Sequence, residues 1–240
     1  MQRLVVRNEA LTYVLFQRTK YLKITKTAAF RFLNLFNRLH PFSLYGAVVG
    51  LEAKIRSEAL KSLFEEGLRE DYEIIKDYLP KDCSSILDIG CGVAGIDCFL
   101  ENHYRGTGVD FVLLDKSKVE KKVFYSYRQK GAFYNSLAVA RQMLMDNGID
   151  ADRIRLVEVH EGTNPEIRDN VDLIISLLSW GFHYPLEIYL DMVVEKLSKN
   201  GTLILDIRRQ KDGLALLQKR FGSVEVIQET PKALRVCCRH

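Results

Sequence analysis

The hydrophobic pattern of the chain changes near Lys81. Before this residue, apolar side chains recur at helical spacing, whereas after it short apolar runs alternate with helical segments. The first pattern predicts a helical arm over about 11–39 and a second helical stretch over about 44–78, which Pro80 ends. The second pattern is typical of a parallel sheet wrapped by helices, so an α/β fold is predicted.

Seven segments after Lys81 are predicted to be strands of this sheet, because they are rich in Val, Ile and Leu and are bounded by turn residues. They are Ser85–Leu87, Phe111–Leu114, Arg155–Val159, Asp172–Ser176, Leu203–Ile207, Ser223–Ile227 and Leu234–Cys238. A short turn containing Pro231 joins the last two, so we expect an antiparallel hairpin there. The chain is thus divided into a basic amphipathic arm (1–40), a helical cap (41–82) and a sheet domain (83–240).

A glycine-rich loop joins the first predicted strand to a helix. Gly90, Gly92 and Gly95 have the spacing G-x-G-x-x-G, which lets a backbone turn sharply and approach a dinucleotide or S-adenosylmethionine (SAM) closely. Asp88 distinguishes these ligands, because a carboxylate would repel a pyrophosphate but attract the ammonium and sulfonium of SAM. The sequence therefore favours SAM, and the structural alternative is that Asp88 caps a turn.

A second carboxylate is expected about 20 residues beyond the loop, where it would accept the ribose hydroxyls. Asp115 follows the apolar run 111–114 and should project from the carboxyl edge of the sheet. Asp110 is the alternative, because Gly108-Val109-Asp110 could itself end a strand.

The run Leu87-Asp88-Ile89-Gly90-Cys91-Gly92 resembles motif I of class I SAM-dependent methyltransferases, and the resemblance covers the chain from about Cys83. It implies a Rossmann-like, seven-stranded, mostly parallel sheet with a terminal antiparallel hairpin, and SAM as cofactor. Ala94 departs from the glycine that many members carry. Glu161 lies where this superfamily often contacts adenine, with a solvated loop as the alternative. The residues expected to contact the cofactor are Asp88, Gly90, Cys91, Gly92, Gly95, Asp115, Lys116, Glu161 and Ser176.

The segment 177–185 follows the predicted strand that, in the resembling enzymes, leads to the transferred methyl group. It lacks the Asn/Asp-Pro-Pro-aromatic motif of enzymes that methylate amino groups of nucleobases and glutamine, which favours an oxygen acceptor. A hydroxyl acceptor needs a base with a pKa near neutral, and His183 is the candidate, with a structural role as the alternative. Three aromatic residues could form a platform for a sugar face or a planar ring: Trp180, Phe182 and Tyr184.

Polar residues after the next predicted strand complete the candidate site. Asp206 and Arg208 could hold substrate hydroxyls, or form a salt bridge with each other. Asn135 and Ser136 either approach the cofactor or cap the following helix, and the cap is favoured. Segments 113–116, 133–137, 179–185 and 206–208 together resemble bacterial proteins described as sugar O-methyltransferases. No convincing metal-ligand set is found.

Positive charge is concentrated at the N-terminus. Residues 1–40 contain eight Lys and Arg residues against Glu9 alone, whereas the other 200 residues carry 27 basic and 30 acidic residues. The arm could be a lid over the site, a helix on a membrane surface or a nucleic-acid contact. The structural alternative is that its apolar face is buried against the same chain or a dimer partner, so homo-oligomerisation stays open.

The remaining composition predicts a cytoplasmic protein, with peripheral contact to the inner membrane face as an option. No apolar run approaches the ~20 residues that span a bilayer, and no secretory pattern opens the chain. The five cysteines have no metal-ligand spacing and are expected to be reduced.

The leading hypothesis is methyl transfer from SAM to a hydroxyl of a sugar, glycan or related small molecule. The alternatives are an RNA methyltransferase that grips phosphates through the arm, a SAM-binding partner protein without turnover, and a dinucleotide oxidoreductase.

Overall fold

The computed structural model describes residues 3–28, 30, 44–116, 118–119, 134–159, 165–210 and 212–240. Its α-helices are α1 (Asn8–Gln17), α2 (Leu44–Ile55), α3 (Ser57–Ile75), α4 (Gly95–His103), α5 (Leu137–Asp146), α6 (Leu190–Lys196) and α7 (Gly213–Gln218). Its strands are β1 (Ser85–Ile89), β2 (Asp110–Asp115), β3 (Lys118–Val119), β4 (Tyr134–Asn135), β5 (Ile154–Glu158), β6 (Val171–Ser176), β7 (Leu197–Arg208), β8 (Ser223–Glu229) and β9 (Ala233–Arg239).

Seven strands form one Rossmann-like sheet in the order β5-β2-β1-β6-β7-β9-β8. The first five strands in this order, β5-β2-β1-β6-β7, pair in parallel. Strand β9 runs antiparallel to both of its neighbours, β7 and β8. The predicted sheet and its terminal hairpin are therefore confirmed. The pair β3–β4 forms a separate two-stranded ribbon that was not predicted, because strands of two residues carry no periodic signal.

Each face of the sheet carries its own hydrophobic core, because side chains alternate along a strand. Along β1, Ile86 packs with one cluster and Leu87 with the other, and both are fully buried. The first cluster contains side chains of α1 to α5, and the second contains side chains of α6 and α7. Because both faces are covered, the central strands consist of almost continuous apolar residues that end at polar groups on the carboxyl edge.

The described part of the arm belongs to the first core. Leu11, Val14 and Leu15 of α1 are at most 1% exposed, and Tyr21 and Leu22 are also buried. The apolar side chains of residues 6–22 thus pack against the same chain. Residues 31–40 lie outside the described residues.

The predicted helical stretch 44–78 is two helices that meet at Arg56. Arg56 has φ −108° and ψ 20°, and its guanidinium donates to the carbonyl of Tyr21 and to the buried carboxylate of Glu52. These contacts hold the segment after α1 against the junction. In the described part of the chain, no helix is long and apolar enough to cross a membrane.

Candidate active site

The loop after β1 takes backbone conformations that glycine adopts readily. Gly90 has φ +77° and Gly92 has φ +57°, and the N–H groups of Gly90 and Cys91 both point to the carbonyl of Leu114 at 2.6 and 3.4 Å. Ala94 also lies in the left-handed region, at φ +57°. The departure from glycine at this position therefore stores strain of about 1 kcal/mol.

Side chains of the protein itself lie against these glycines. A Cβ at Gly90 would overlap the Oγ of Ser179, and one at Gly92 would lie 2.7 Å from the Oε1 of Gln17 in α1. A Cβ at Gly95 would lie 2.6 Å from Phe64 of α3. Gly95 therefore permits close helix packing, whereas Gly90 and Gly92 let the arm and the loop after β6 approach the turn.

Three carboxyl groups surround this turn. Asp88 is the residue before the last of β1, Asp97 lies in the first turn of α4, and Asp115 ends β2. Burial is the largest cause of a raised pKa in all three, and their mutual repulsion contributes for Asp88. The arrangement is a concentration of buried negative charge, which a cationic ligand would relieve.

Asp115, and not Asp110, ends β2 beside the glycine loop. Its carboxylate accepts the N–H of Gly92 at 2.9 Å and the N–H of Lys116 at 2.6 Å. Burial raises its pKa to about 6, although these N–H groups act in the opposite direction. Asp110 lies at the other end of the strand, where it is exposed.

Asp97 is fully buried, and no donor reaches either of its carboxylate oxygens with hydrogen-bond geometry. Burial raises its pKa to about 6, and the neighbouring Asp88 carboxyl acts to lower it. A buried carboxylate without regular hydrogen bonds is costly, and either a proton held within the Asp88–Asp97 pair or a positively charged ligand would offset that cost.

Gln17 and Asn135 form the rim of this turn on the side of the arm. The Nε2 of Gln17 lies 3.5 Å from the Oδ1 of Asn135, and Asn135 also helps to stabilise the Asp115 carboxylate. Asn135 is 5% exposed, and its Nδ2, the only group of this side chain that can stabilise the Asp115 carboxylate, makes no hydrogen bond of regular geometry. The cap of α5 is Ser136, whose Oγ accepts the N–H of Val139 at 3.4 Å.

The loop after β6 reaches the same turn from the opposite side. Leu178 has φ +56°, a strained conformation for a side chain of its size, and its N–H is held by the carboxylate of Asp206 at 3.1 Å. Burial and the Asp115 charge raise the pKa values of the Tyr184 and Tyr189 phenols. These two phenols therefore share the electrostatic environment of Asp115.

His183 lies at the exposed end of this loop. Its ring packs edge-on against Phe182 with a centroid distance of 4.9 Å, and Arg208 lies 5.1 Å from the Phe182 ring centre. Arg208 Nε also donates to the Phe182 carbonyl at 2.5 Å. Partial burial, followed by the Arg208 charge, lowers the pKa of His183, so the imidazole is neutral at pH 7 and can accept a proton.

Two residues that were expected to contact ligands are part of the framework. Ser176 is fully buried, donates to the Ile89 carbonyl at 2.7 Å and accepts the N–H of Trp180 at 3.0 Å, so its hydroxyl is occupied. Trp180 is also fully buried, and its indole N–H donates to the Leu186 carbonyl. The structure therefore places both side chains in the framework beneath the site, and their predicted ligand contacts stay predictions.

Asp206 is also part of the framework. Its carboxylate accepts Arg235 Nε at 2.8 Å and Nη2 at 3.0 Å, and both side chains are almost fully buried. Arg235 also forms a salt bridge with Asp71, and Asp71 pairs with Arg18 at the end of α1. Asp206 is thus part of a buried ionic chain from β7 to the arm, and its partner is not Arg208.

The remaining predicted residues occupy different positions. Lys116 directly follows β2 at the carboxyl edge, and Cys91 is buried in the glycine loop with a raised pKa caused mainly by that burial. Glu161 lies outside the described residues. No group of three or more His, Cys, Asp or Glu side chains within the described ranges could hold a metal ion.

The sequence interpretation missed Asp97 and Gln17. Asp97 carried a usable signal, because it is the one charged residue in the apolar run 96–100. Gln17 carried none, because only the packing of α1 on the sheet domain brings it to Gly92.

No protein-family model matches the chain, and no curated protein matches its sequence. Solved structures do resemble it. A precorrin-6y C5,15-methyltransferase from Geobacter metallireducens is 16% identical, with 75% of this chain and 87% of that chain covered and a TM-score of 0.47. An rRNA methylase from Streptococcus thermophilus is 18% identical, with 71% of this chain and 94% of that chain covered and a TM-score of 0.44. A precorrin 8w decarboxylase from Methanobacterium thermoautotrophicum is 13% identical, with 73% of this chain and 90% of that chain covered and a TM-score of 0.48. Similarity at this level defines neither ligand nor reaction.

Proposed function

We propose that the protein binds SAM at the carboxyl edge of its sheet and transfers the methyl group to a hydroxyl of a sugar, glycan or related small molecule. The observation that carries this proposal is the cluster of three carboxyl groups around a glycine loop, of which Asp88 and Asp97 are buried and Asp115 is half-buried. A ligand with two positive charges and no phosphate fits this cluster, whereas the pyrophosphate of a dinucleotide would be repelled.

The fit extends to individual atoms. The ammonium of the ligand would meet the acidic pair Asp88 and Asp97, whose second member has two carboxylate oxygens without donors. The ribose hydroxyls would meet Asp115, and the unpartnered Nδ2 of Asn135 is a donor for a ligand oxygen or nitrogen. Exposed Gln17 would swing away from Gly92 or remain as a wall of the site.

The loop after β6 would hold the acceptor. When bound, SAM supplies an electrophilic methyl group on its sulfonium. The neutral His183 imidazole would remove the hydroxyl proton, while Phe182 and Arg208 fix the position of that imidazole. Tyr184 would stay protonated near Asp115 and would donate a hydrogen bond. Alignment of the acceptor with the methyl group would be the main contribution to the rate.

A labelling experiment tests this function. Purified protein is incubated with methyl-labelled SAM and a cell extract that is separated into RNA, protein, lipid-linked glycan and small-molecule fractions. We expect label in the glycan or small-molecule fraction. Label in RNA would overturn the acceptor class, and SAM binding without any labelled product would favour a non-catalytic partner protein.

The role of His183 is tested with the acceptor found in this way. We expect His183→Ala to lower kcat by about 10²- to 10⁴-fold, with a smaller change in the Kd of SAM. His103→Ala is the matched control, because this second histidine lies at the far end of α4 and bonds to Tyr72. Unchanged turnover of His183→Ala would remove His183 from the mechanism.

A further inference from the structure

The outer side of α2 is an apolar stripe that no described element covers. Leu51 is 53% exposed and Ile55 is 68% exposed, and they lie one helical turn apart with exposed Ala47 one turn earlier. The opposite side of α2 is buried through Val49 and Ala53. The helix is therefore apolar on both sides, and one side faces solvent.

Exposed lysines flank this stripe. The segment after α1 crosses the edge of α2, where the N–H groups of Lys23 and Ile24 bond to the Glu52 carboxylate at 2.7 and 3.0 Å. Three exposed lysines lie on this segment, Lys20, Lys23 and Lys26, and exposed Lys54 lies on α2 itself at the other side of the stripe.

Acidic groups near the stripe are neutralised. Glu52 is fully buried and pairs with Arg56. Glu58, the first acidic residue after Ile55, pairs with Lys61 and Arg3. The described surface around Leu51 and Ile55 is therefore apolar at its centre and positive at its edge.

We propose that this surface, formed by Ala47, Leu51 and Ile55 with Lys20, Lys23, Lys26 and Lys54, docks the protein on an anionic lipid surface. Aliphatic side chains gain free energy when they enter hydrocarbon, and lysines are attracted to anionic headgroups. A binding site for single-stranded RNA would instead favour exposed aromatic residues and arginines, on which the bases stack. A stable dimer interface buries roughly 1,200–2,000 Å², far more than two large aliphatic side chains supply.

One edge of the surface, at Lys20, lies close to the candidate active site. Gln17, which lies against Gly92, is three residues before Lys20, so their Cα atoms are at most about 11 Å apart. Docking would therefore hold the arm side of the carboxyl edge near the membrane. This inference does not depend on the proposed function, because it concerns binding to lipid and not turnover.

Vesicle flotation tests the proposal with the full chain. We expect binding to vesicles of phosphatidylcholine mixed with phosphatidylglycerol, little binding to phosphatidylcholine alone, and loss of binding at high salt. Replacing both Leu51 and Ile55 by serine should lower the partition coefficient roughly tenfold or more. The control is Leu156→Ser on the edge strand β5, where Leu156 is 36% exposed and binding should not change.

The charge contribution is tested separately. Replacing Lys23 and Lys26 by glutamine should weaken binding by roughly 20- to 30-fold. The control replaces Lys199 and Lys219, two exposed lysines elsewhere on the chain, by glutamine, and this variant should retain most of the vesicle binding. Thermal unfolding of each variant checks that it is folded.

Three results would overturn the proposal. The first is absence of binding to the anionic vesicles. The second is a dimer, seen by sedimentation, that the Leu51 and Ile55 substitutions dissociate. The third is RNA binding that the Lys23 and Lys26 substitutions abolish while vesicles remain unbound.

Discussion

The two halves of the carboxyl edge differ in how their polar groups are satisfied. On the side of β1 and β2, the carboxylate oxygens of Asp97 have no hydrogen-bond partner, and buried Asp88 and half-buried Asp115 have raised pKa values. On the side of β6 and β7, Ser176 and Asp206 have complete sets of partners within the chain. The same edge thus contains one half with concentrated, poorly paired acidic groups and another half whose acidic group is paired within the chain, where only the Nη1 of Arg235 among these side-chain atoms has no partner.

This difference separates binding residues from framework residues. A polar side chain at the end of a strand indicates a ligand site only if its hydrogen-bonding capacity is left open. Asp97 meets that criterion, whereas Asp206 stabilises the strained turn at Leu178 and pairs with Arg235. Substitution of equivalent aspartates in the two halves should therefore change stability in opposite directions.

The largest effect is expected at Asp206. Asp206→Ala would leave the buried Arg235 with Asp71 alone and free the Leu178 turn, so the free energy of unfolding should fall by about 3–5 kcal/mol. Urea unfolding measures this change. Arg208→Ala is the control and should cost less than about 1 kcal/mol, and the reverse ranking would restore the Asp206–Arg208 pair that the sequence suggested.

Asp97→Asn should instead raise the free energy of unfolding at neutral pH. Because the folded pKa is about 6 and the ordinary value is 3.8, ionised Asp97 destabilises the ligand-free protein at neutral pH. The stabilising contribution of its protonated form is complete below pH 3.8 and is lost as pH rises through about 6. The variant should gain on the order of 2–3 kcal/mol above pH 6, and the gain should vanish near pH 4. A variant less stable than wild type at pH 8 would show that Asp97 has a donor.

Trp180→Phe tests whether this side chain is core or platform. Loss of volume and of the indole hydrogen bond should lower the free energy of unfolding by about 1–3 kcal/mol. As the only tryptophan, Trp180 should also emit at short wavelength and resist quenching by acrylamide. Strong quenching by an added acceptor would return Trp180 to the binding surface.

The smallest effect is the pH dependence of SAM binding. Burial raises the pKa of Asp115 to about 6, so its protonation on acidification removes an acceptor and a negative charge from the site. The affinity should fall about tenfold between pH 7 and pH 5. Binding that is constant across this range, measured by calorimetry, would exclude Asp115 as a direct contact.

The sheet and the glycine loop could be predicted because their signals are local. Asp88 and the glycines lie within one strand-turn-helix, and Asp115 follows the next apolar run directly. The pairing of Asp206 could not be predicted, because its partner Arg235 comes from β9, 29 residues later, and no local pattern shows such a pair. The burial of Trp180 could not be predicted either, because it depends on the second core. Gln17 was missed because tertiary packing alone places it at Gly92.

Calorimetric titration of SAM into wild type, Asp115→Asn and Asp110→Asn tests the central claim most directly. The two aspartates lie at opposite ends of the same strand, so both substitutions remove one charge from β2. We expect wild type to bind SAM, Asp115→Asn to bind at least about tenfold more weakly, and Asp110→Asn to match wild type. Equal affinities for all three proteins, or a wild type that binds NAD and not SAM, would contradict the assignment of this edge as a SAM site.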